Sequence, residues 1–286
     1  MSKHDYGRYE AYSEYLYESS GFKKLDYVVK NIQKFCVGPP IDILDVGCGN
    51  GNISAVLASY GHDVLGIDMS EDCIEHATSL KNKYNISHLN FEVASANEIQ
   101  RFGRSFDAVI CSEVLEHVYE PTSILLAVRA VLKQDGVLIV TVPNGYGPSE
   151  ASTKAASKLR ALILSNEHVK HLYASLSHLS GYLLPQETCM QSANAGEGGS
   201  HVQFFTKKSL YWLFGATGFN IIASGCSDFI AGIVPFRSLI RKSKLLCRID
   251  FAFADAIPSA LASGWYFTLR KSRSRLEPCH NRHGDE

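Results

Sequence analysis

Glu113, Glu116 and His117 lie close together in "SEVLEHV", residues 112–118, and are the residue types that move protons or hold cations. If Glu113 opens a short helix, Glu116 and His117 follow three and four residues on, and all three project from one face. Two carboxylates and an imidazole converging without a basic partner repel unless a cation or a proton joins them. A second stretch, "DVGCGNGNIS" at 45–54, follows the apolar run 41–44. Glycines between a first strand and a first helix hold ligands in several nucleotide-binding folds, so the turn alone does not name one. A dinucleotide fingerprint needs a third glycine for close helix–strand packing. The register Gly47-Cys-Gly49-Asn-Gly51-Asn52 puts asparagine there, which argues against a nicotinamide cofactor.

The elements that must position these residues alternate. "DILDV", "DVLGID", "LNFEVAS", "FDAVICS" and "GVLIVTVP" read as strands, separated by helices at about 53–60, 72–84 and 122–132. Such alternation predicts an α/β fold with parallel strands, right-handed crossovers and ligands at the carboxyl ends of the strands, where "GCGNG" lies. Residues 5–36 read as one or two helices, with Tyr6, Tyr9 and Tyr12 at helical spacing, packed against the main domain or covering a ligand. Beyond Pro143 the rhythm breaks into helical stretches at about 150–164 and 166–180 and the loop 185–200. It resumes with a helix at 206–218, a strand at 219–229, a mostly helical stretch to about 262 and a final strand, "GWYFTLRK".

The chain has 286 residues, is 45% hydrophobic and 20% charged, and carries a net charge of −1, ordinary values for a globular enzyme. This balance argues against a nucleic-acid partner, and no RNA-binding module is recognisable. The eight cysteines are scattered without a Cys-x-x-Cys pair, which predicts a reducing compartment. The polar, tyrosine-rich start and the lack of any run near 20 apolar residues predict a cytoplasmic protein without a spanning segment.

Taken in order, "LDVGCGNG", "GIDMS" and "FDAVICSEVLEHV" resemble the class I S-adenosylmethionine-dependent methyltransferases over roughly residues 41–145, with a weaker continuation at 201–225. The resemblance implies a Rossmann-like methyltransferase fold: a mostly parallel central sheet, helices on both faces and helical insertions over the acceptor site. It divides the chain into an N-terminal helical cover (1–40), a cofactor-binding core (41–145), a helical insertion or lid (146–200), a C-terminal part of the fold (201–270) with a helical insertion at about 229–263, and a flexible tail (271–286). It implies that Gly47, Cys48 and Gly49 admit the methionine moiety and that Asp45 receives its ammonium group, directly or through water. Asp68 matches the acid that binds the ribose diol, and Met69 can pack on adenine. Many relatives have an aspartate after the third strand. This chain reads "VASANEI" there, so adenine recognition passes to Ala96, Asn97, backbone groups or the Ser95 hydroxyl. Cys111 and Ser112 line the methionine side, or Cys111 is a small buried hydrophobe.

Glu-x-x-Glu-His at this place resembles the metal site of the ubiquinone-biosynthesis O-methyltransferases and small-RNA 2′-O-methyltransferases. In the latter a further histidine comes from a His-x-x-x-aromatic-Thr pattern, which His201-Val-Gln-Phe-Phe205-Thr206 matches. The implied ligands of a divalent cation are Glu113, Glu116, His117 and His201. Carboxylates favour magnesium or manganese, and two imidazoles leave iron, cobalt or zinc open. Without a metal, Glu116 caps a helix or bonds to backbone, and His117 is a general base or a bonding group across the cleft.

A metal-activated hydroxyl points to O-methylation of a small-molecule, lipid-linked or saccharide acceptor. The rivals are a non-catalytic S-adenosylmethionine sensor, a metal-independent N- or C-methyltransferase, and an aminopropyl transferase, whose acidic polyamine pocket is not found. "FRSLIRKSKLLCRI", 236–249, carries five basic residues and no acid. It reads as a peripheral membrane contact or as a solvated helix face. The oligomeric state has no sequence signal.

Overall fold

Apolar runs rich in β-branched and aromatic residues become strands of five to twelve residues in a single sheet of the computed structural model. It describes residues 19–36, 38, 40–164, 201–233, 236, 240 and 243–272. In chain order these form α1 (Ser19–Phe35), β1 (Asp42–Val46), α2 (Asn52–Ser59), β2 (Asp63–Asp68), α3 (Glu71–Lys83), β3 (Leu89–Val93), β4 (Phe106–Ser112), α4 (Pro121–Val131), β5 (Leu132–Pro143), α5 (Pro148–Leu164), α6 (Lys207–Ala216), β6 (Phe219–Cys226), α7 (Lys244–Ala256) and β7 (Gly264–Lys271). Short 3-10 turns lie at Ala96–Phe102, Leu115–His117, Ile230–Gly232 and Ser259–Leu261.

The sheet has seven strands in the order β3-β2-β1-β4-β5-β7-β6. The first five are parallel, while β7 runs antiparallel to both β5 and β6. The order reverses at β1, so the carboxyl ends of β1 and β4 open the crevice in which such sheets bind ligands. One apolar layer joins Val109, Val140, Phe214 and Phe267 beneath α4 and α6. The opposite layer joins Ile43, Ala55, Ile110 and Ile139 to α1. Helix α1 forms because Leu25, Val28, Val29 and Ile32 recur at helical spacing, and all four are buried. That docking brings Lys24 to the carboxyl ends of β4 and β5.

Helix termini follow local chemistry. Ser70 caps α3 by accepting from the Cys73 amide, with Glu71 and Asp72 in the first turn. Thr206 caps α6 in a reciprocal box with Ser209. Asp250 of α7 accepts from the amides of Phe229, Ile230 and Ala231, which ties the C-terminal insertion to the end of β6.

The expected helix at 150–164 is α5. The expected helix at 166–180, the loop 185–200, Tyr6, Tyr9, Tyr12 and the tail beyond 272 lie outside the described residues, as do Arg237, Arg241 and Lys242 of the basic stretch. Among the described residues no helix is long and apolar enough to cross a membrane.

Candidate active site

The glycine turn runs from β1 into α2, with Gly47, Gly49 and Gly51 at φ 67°, 51° and 76°, backbone that glycine adopts without strain. Their surroundings differ. A Cβ on Gly47 would stand 2.5 Å from Val114 Cγ2, and one on Gly51 2.4 Å from Phe91 Cζ, whereas one on Gly49 would meet no heavy atom within 4 Å. Gly47 and Gly51 are thus fixed by packing. Gly49 is the position where backbone is open to a ligand. The Gly47–Val114 contact also joins this turn to the segment carrying Glu116 and His117.

Two acids flank the opening. Asp68, closing β2, accepts from the Gly49 amide through Oδ2 and from the Ser70 amide through Oδ1, each at 2.9 Å. Asp45 is 1% exposed and accepts from Ser54 Oγ at 2.6 Å. Burial, which the Ser54 bond opposes and the nearby Asp68 reinforces, pushes its carboxyl up to about 7. Two carboxylates beside an open glycine fit a cationic ligand, and a sulfonium amino acid is one.

Met69 is exposed after Asp68. The Ser95 hydroxyl accepts from the Asn97 amide and caps the turn that Ala96 opens, while Asn97 Oδ1 accepts from Ser123. Of the two readings of Cys111, its side chain follows that of a small buried hydrophobe. It is fully buried in the apolar layer that holds Val46, Leu115 and Val140, and burial pushes its thiol far above the ordinary range. Ser112 is half-buried and shares a 2.9 Å bond with Thr141 Oγ1.

The segment after β4 departs from expectation in an informative way. No helix starts at Glu113: its φ of 56° turns the chain left-handed, and only a 3-10 turn follows at Leu115–His117. Glu113 is thereby turned toward Lys24 and Thr141 while its charge still reaches Glu116, His117 and His201. Its Oε1 accepts from Thr141 Oγ1 at 2.9 Å and lies 3.5 Å from Lys24 Nζ. Burial opposes its ionisation, but Lys24, the Thr141 and Lys24 bonds and His201 outweigh burial and hold it below the usual carboxylate range. The expectation of a site without a basic partner is therefore also corrected, because α1 supplies one.

Glu116, His117 and His201 do converge, with one ligand atom of each within 4.8 Å of the others. The segment before α6 that carries His201 is pinned by the amides of Val202 and Gln203, which donate to the Glu116 carbonyl at 2.9 and 3.1 Å. Gln203 Nε2 donates to the Tyr119 carbonyl at 2.7 Å. The two imidazoles meet edge to face at 5.2 Å, and His117 Nε2 lies 3.9 Å from Glu116 Oε1. Glu116 is 1% exposed, and neither carboxylate oxygen has a hydrogen-bond partner among the described residues. Burial, and then the Glu113 charge, push its carboxyl well above the ordinary range. Burial and His201 lower His117, against Glu113, which favours a neutral imidazole. A buried carboxylate with two unpartnered oxygens beside two imidazoles fits a divalent cation by its donor chemistry.

A doubly wound sheet with a glycine turn and two acids at its switch point defines a nucleotide- or nucleoside-binding α/β protein. The chain belongs to the methyltransferase-domain family, whose model matches residues 21–224. Over 106 residues it is 37% identical to a ubiquinone biosynthesis O-methyltransferase of Actinobacillus pleuropneumoniae serotype 5b (strain L20), covering 36% of this chain and 45% of that one. Over 177 residues it is 29% identical to a protein of the same name from Acinetobacter baumannii (strain AYE), covering 60% and 70%. The chain thus spans about half the length of the first of these relatives. Magnesium protoporphyrin IX methyltransferase from Synechocystis PCC 6803, solved with bound S-adenosylhomocysteine, shares the fold at a TM-score of 0.53 and 16% identity, over 88% of this chain and 84% of that one.

Proposed function

We propose that the protein transfers a methyl group from S-adenosylmethionine to a hydroxyl oxygen of a small-molecule, lipid-linked or saccharide acceptor. The observation that carries this reading is the Glu116–His117–His201 cluster lodged against the glycine turn through Val114 and Gly47. The names of the two bacterial relatives, both O-methyltransferases, support oxygen as the atom methylated. Apolar side chains exposed on α7, Leu245, Ile249 and Phe253, support an apolar or lipid-linked acceptor.

S-adenosylmethionine supplies a methyl group already activated on a sulfonium, so the chain must align a nucleophile in line and remove its proton. The Gly47–Gly49 backbone and the Asp68 carboxylate hold the donor, and Asp45 receives its ammonium group directly or through water. On the other side of Val114, His117 and His201 bracket the place where an acceptor hydroxyl meets the methyl. Glu116, His117 and His201 would hold a divalent ion, which would supply Lewis acidity to that hydroxyl; without one, the neutral His117 imidazole takes the proton.

The test is methyl-labelled S-adenosylmethionine incubated with the protein and a cell extract, before and after EDTA treatment, with magnesium, manganese, cobalt or zinc then restored. The expected product is a labelled methyl ether whose formation stops on chelation and returns with one of the ions. Label on nitrogen or carbon contradicts O-methylation. Full activity after chelation removes the ion and leaves His117 as the base.

A further inference from the structure

Helix α7 is apolar on both of its sides. The inner side buries Cys247 and Ala254, and Asp250 between them accepts from the amides of Phe229, Ile230 and Ala231. On the outer side Leu245, Ile249 and Phe253 follow one another at steps of four, with Leu246 beside them. Leu245 is 67% exposed and Ile249 57%, and Leu246 and Phe253 are exposed as well. Phe253 leans on the Phe229 ring at 5.9 Å, which ties the stripe to the 3-10 turn after β6. A single exposed leucine needs no explanation, but a continuous stripe of large apolar side chains marks a surface that meets something other than water. The charge beside the stripe has one sign. Arg248 is exposed on its flank, and residues 236–249 hold five basic residues and no acid. Both acids of α7 are engaged elsewhere, Asp250 with the three amides and Asp255 with Lys23 at 2.7 Å.

We propose that the outer face of α7 is a docking surface for an anionic lipid bilayer, with Leu245, Leu246, Ile249 and Phe253 set among the acyl chains and the basic stretch meeting the headgroups. An amphipathic helix lies in a bilayer interface in this way, and anionic headgroups add to its apolar burial. Charge decides between the bilayer and a second copy of the chain. Pairing two copies through this face would bring two basic stretches together, whereas anionic lipid complements them. The fold also gives the surface a place. Strand β6 runs parallel to β5, because β7 is antiparallel to both, so α7 leaves β6 at the end of the sheet where the crevice opens. Asn144, directly after β5, donates to the carbonyls of Ala260 and Ala262 at 2.8 and 2.9 Å, which fastens the return from α7 to that end. The docking does not depend on the methyl-transfer reading; together with that reading it favours an acceptor held at the bilayer.

Co-sedimentation of the full chain with phosphatidylcholine vesicles, made with and without phosphatidylglycerol, tests it in wild type and in the Leu245→Gln/Ile249→Gln double variant. Glutamine keeps the helix propensity of these positions and removes their apolar surface. Wild type is expected to partition onto the phosphatidylglycerol vesicles, to prefer them over phosphatidylcholine alone, and to be released as salt is raised. The double variant is expected to lose at least about tenfold in partition, with its melting temperature and S-adenosylhomocysteine affinity unchanged. No binding to either vesicle, equal binding to both, or full partition of the double variant overturns the proposal. So does a dimer in sedimentation equilibrium that the double variant dissociates, which would assign the face to a second copy. A lowered melting temperature in the double variant, showing that the face is covered by another segment of the same chain, overturns it too. Vesicle binding is read without cofactor or acceptor, so its failure leaves methyl transfer standing, and a failure of methyl transfer leaves the docking standing.

Discussion

The two halves of the crevice are finished to different degrees. On the β1–β2 side, the polar groups of the glycine turn have protein partners: Asp68 takes two backbone amides, Asp45 takes the Ser54 hydroxyl, and the Cys48 amide donates to the Ile67 carbonyl. On the β4–β5 side, Glu116 is buried with both oxygens unpartnered and Glu113 sits in left-handed backbone. Half-built polar groups are costly inside a protein unless a ligand or a proton completes them. On the proposed function, the difference means a donor side built as a preformed holder and a reacting side left for acceptor, ion and proton to complete.

The sharpest way to break this division is to remove a holder and ask whether the reacting side notices. Asp68→Ala is expected to weaken S-adenosylhomocysteine binding by about 1.5–3 kcal/mol, roughly 10- to 150-fold, with manganese affinity unchanged. Calorimetry reads both. A parallel loss of manganese binding would mean that the two sides are one unit.

The placement of the glycine turn and its two flanking acids was legible in the sequence because it is local. The glycines, Asp45 and Asp68 lie at strand ends whose order follows from apolar runs, and the third-position Asn52 already spoke against a nicotinamide cofactor. The reacting side was legible only as residue types. His201 was reached only through the resemblance, whose His-x-x-x-aromatic-Thr pattern it matches, and the structure brings its ring to His117, with 202 and 203 pinned to the Glu116 carbonyl. The direction of Glu113 was not legible, because a left-handed turn at a glutamate leaves no pattern. Lys24 was not legible either. In "GFKKLDYVV" it reads as the polar side of an amphipathic helix, and only the docking of α1, a long-range packing event, sets it beside β4 and β5. Which of the two readings of Cys111 holds was not legible, because the strand around it is uniformly apolar and its face could not be read.

A smaller effect sharpens the donor side. The Asp45 carboxyl is raised to about 7, with burial as the main cause. A raised folded pKa stabilises the fold below the unfolded value and loses that contribution as pH rises through about 7. Stability of the free protein is therefore expected to fall between about pH 4 and pH 7, and less so in Asp45→Asn. If Asp45 receives the donor's ammonium group, binding at pH 6 must expel close to one proton. Titration of S-adenosylhomocysteine in two buffers of different ionisation enthalpy measures that proton, and Asp45→Asn is expected to abolish its release. Equal heats in both buffers for the wild type would remove Asp45 from the ammonium contact.

The central claim is that the Glu116–His117–His201 side carries the reaction while the glycine turn and Asp68 hold the donor. The most direct test measures both in one variant, His117→Ala, by single-turnover transfer from methyl-labelled S-adenosylmethionine to the extract acceptor and by S-adenosylhomocysteine affinity. Transfer is expected to slow by about 10²- to 10⁴-fold with donor affinity unchanged. Transfer at the wild-type rate, or a loss of donor affinity matching the loss of rate, would contradict the account.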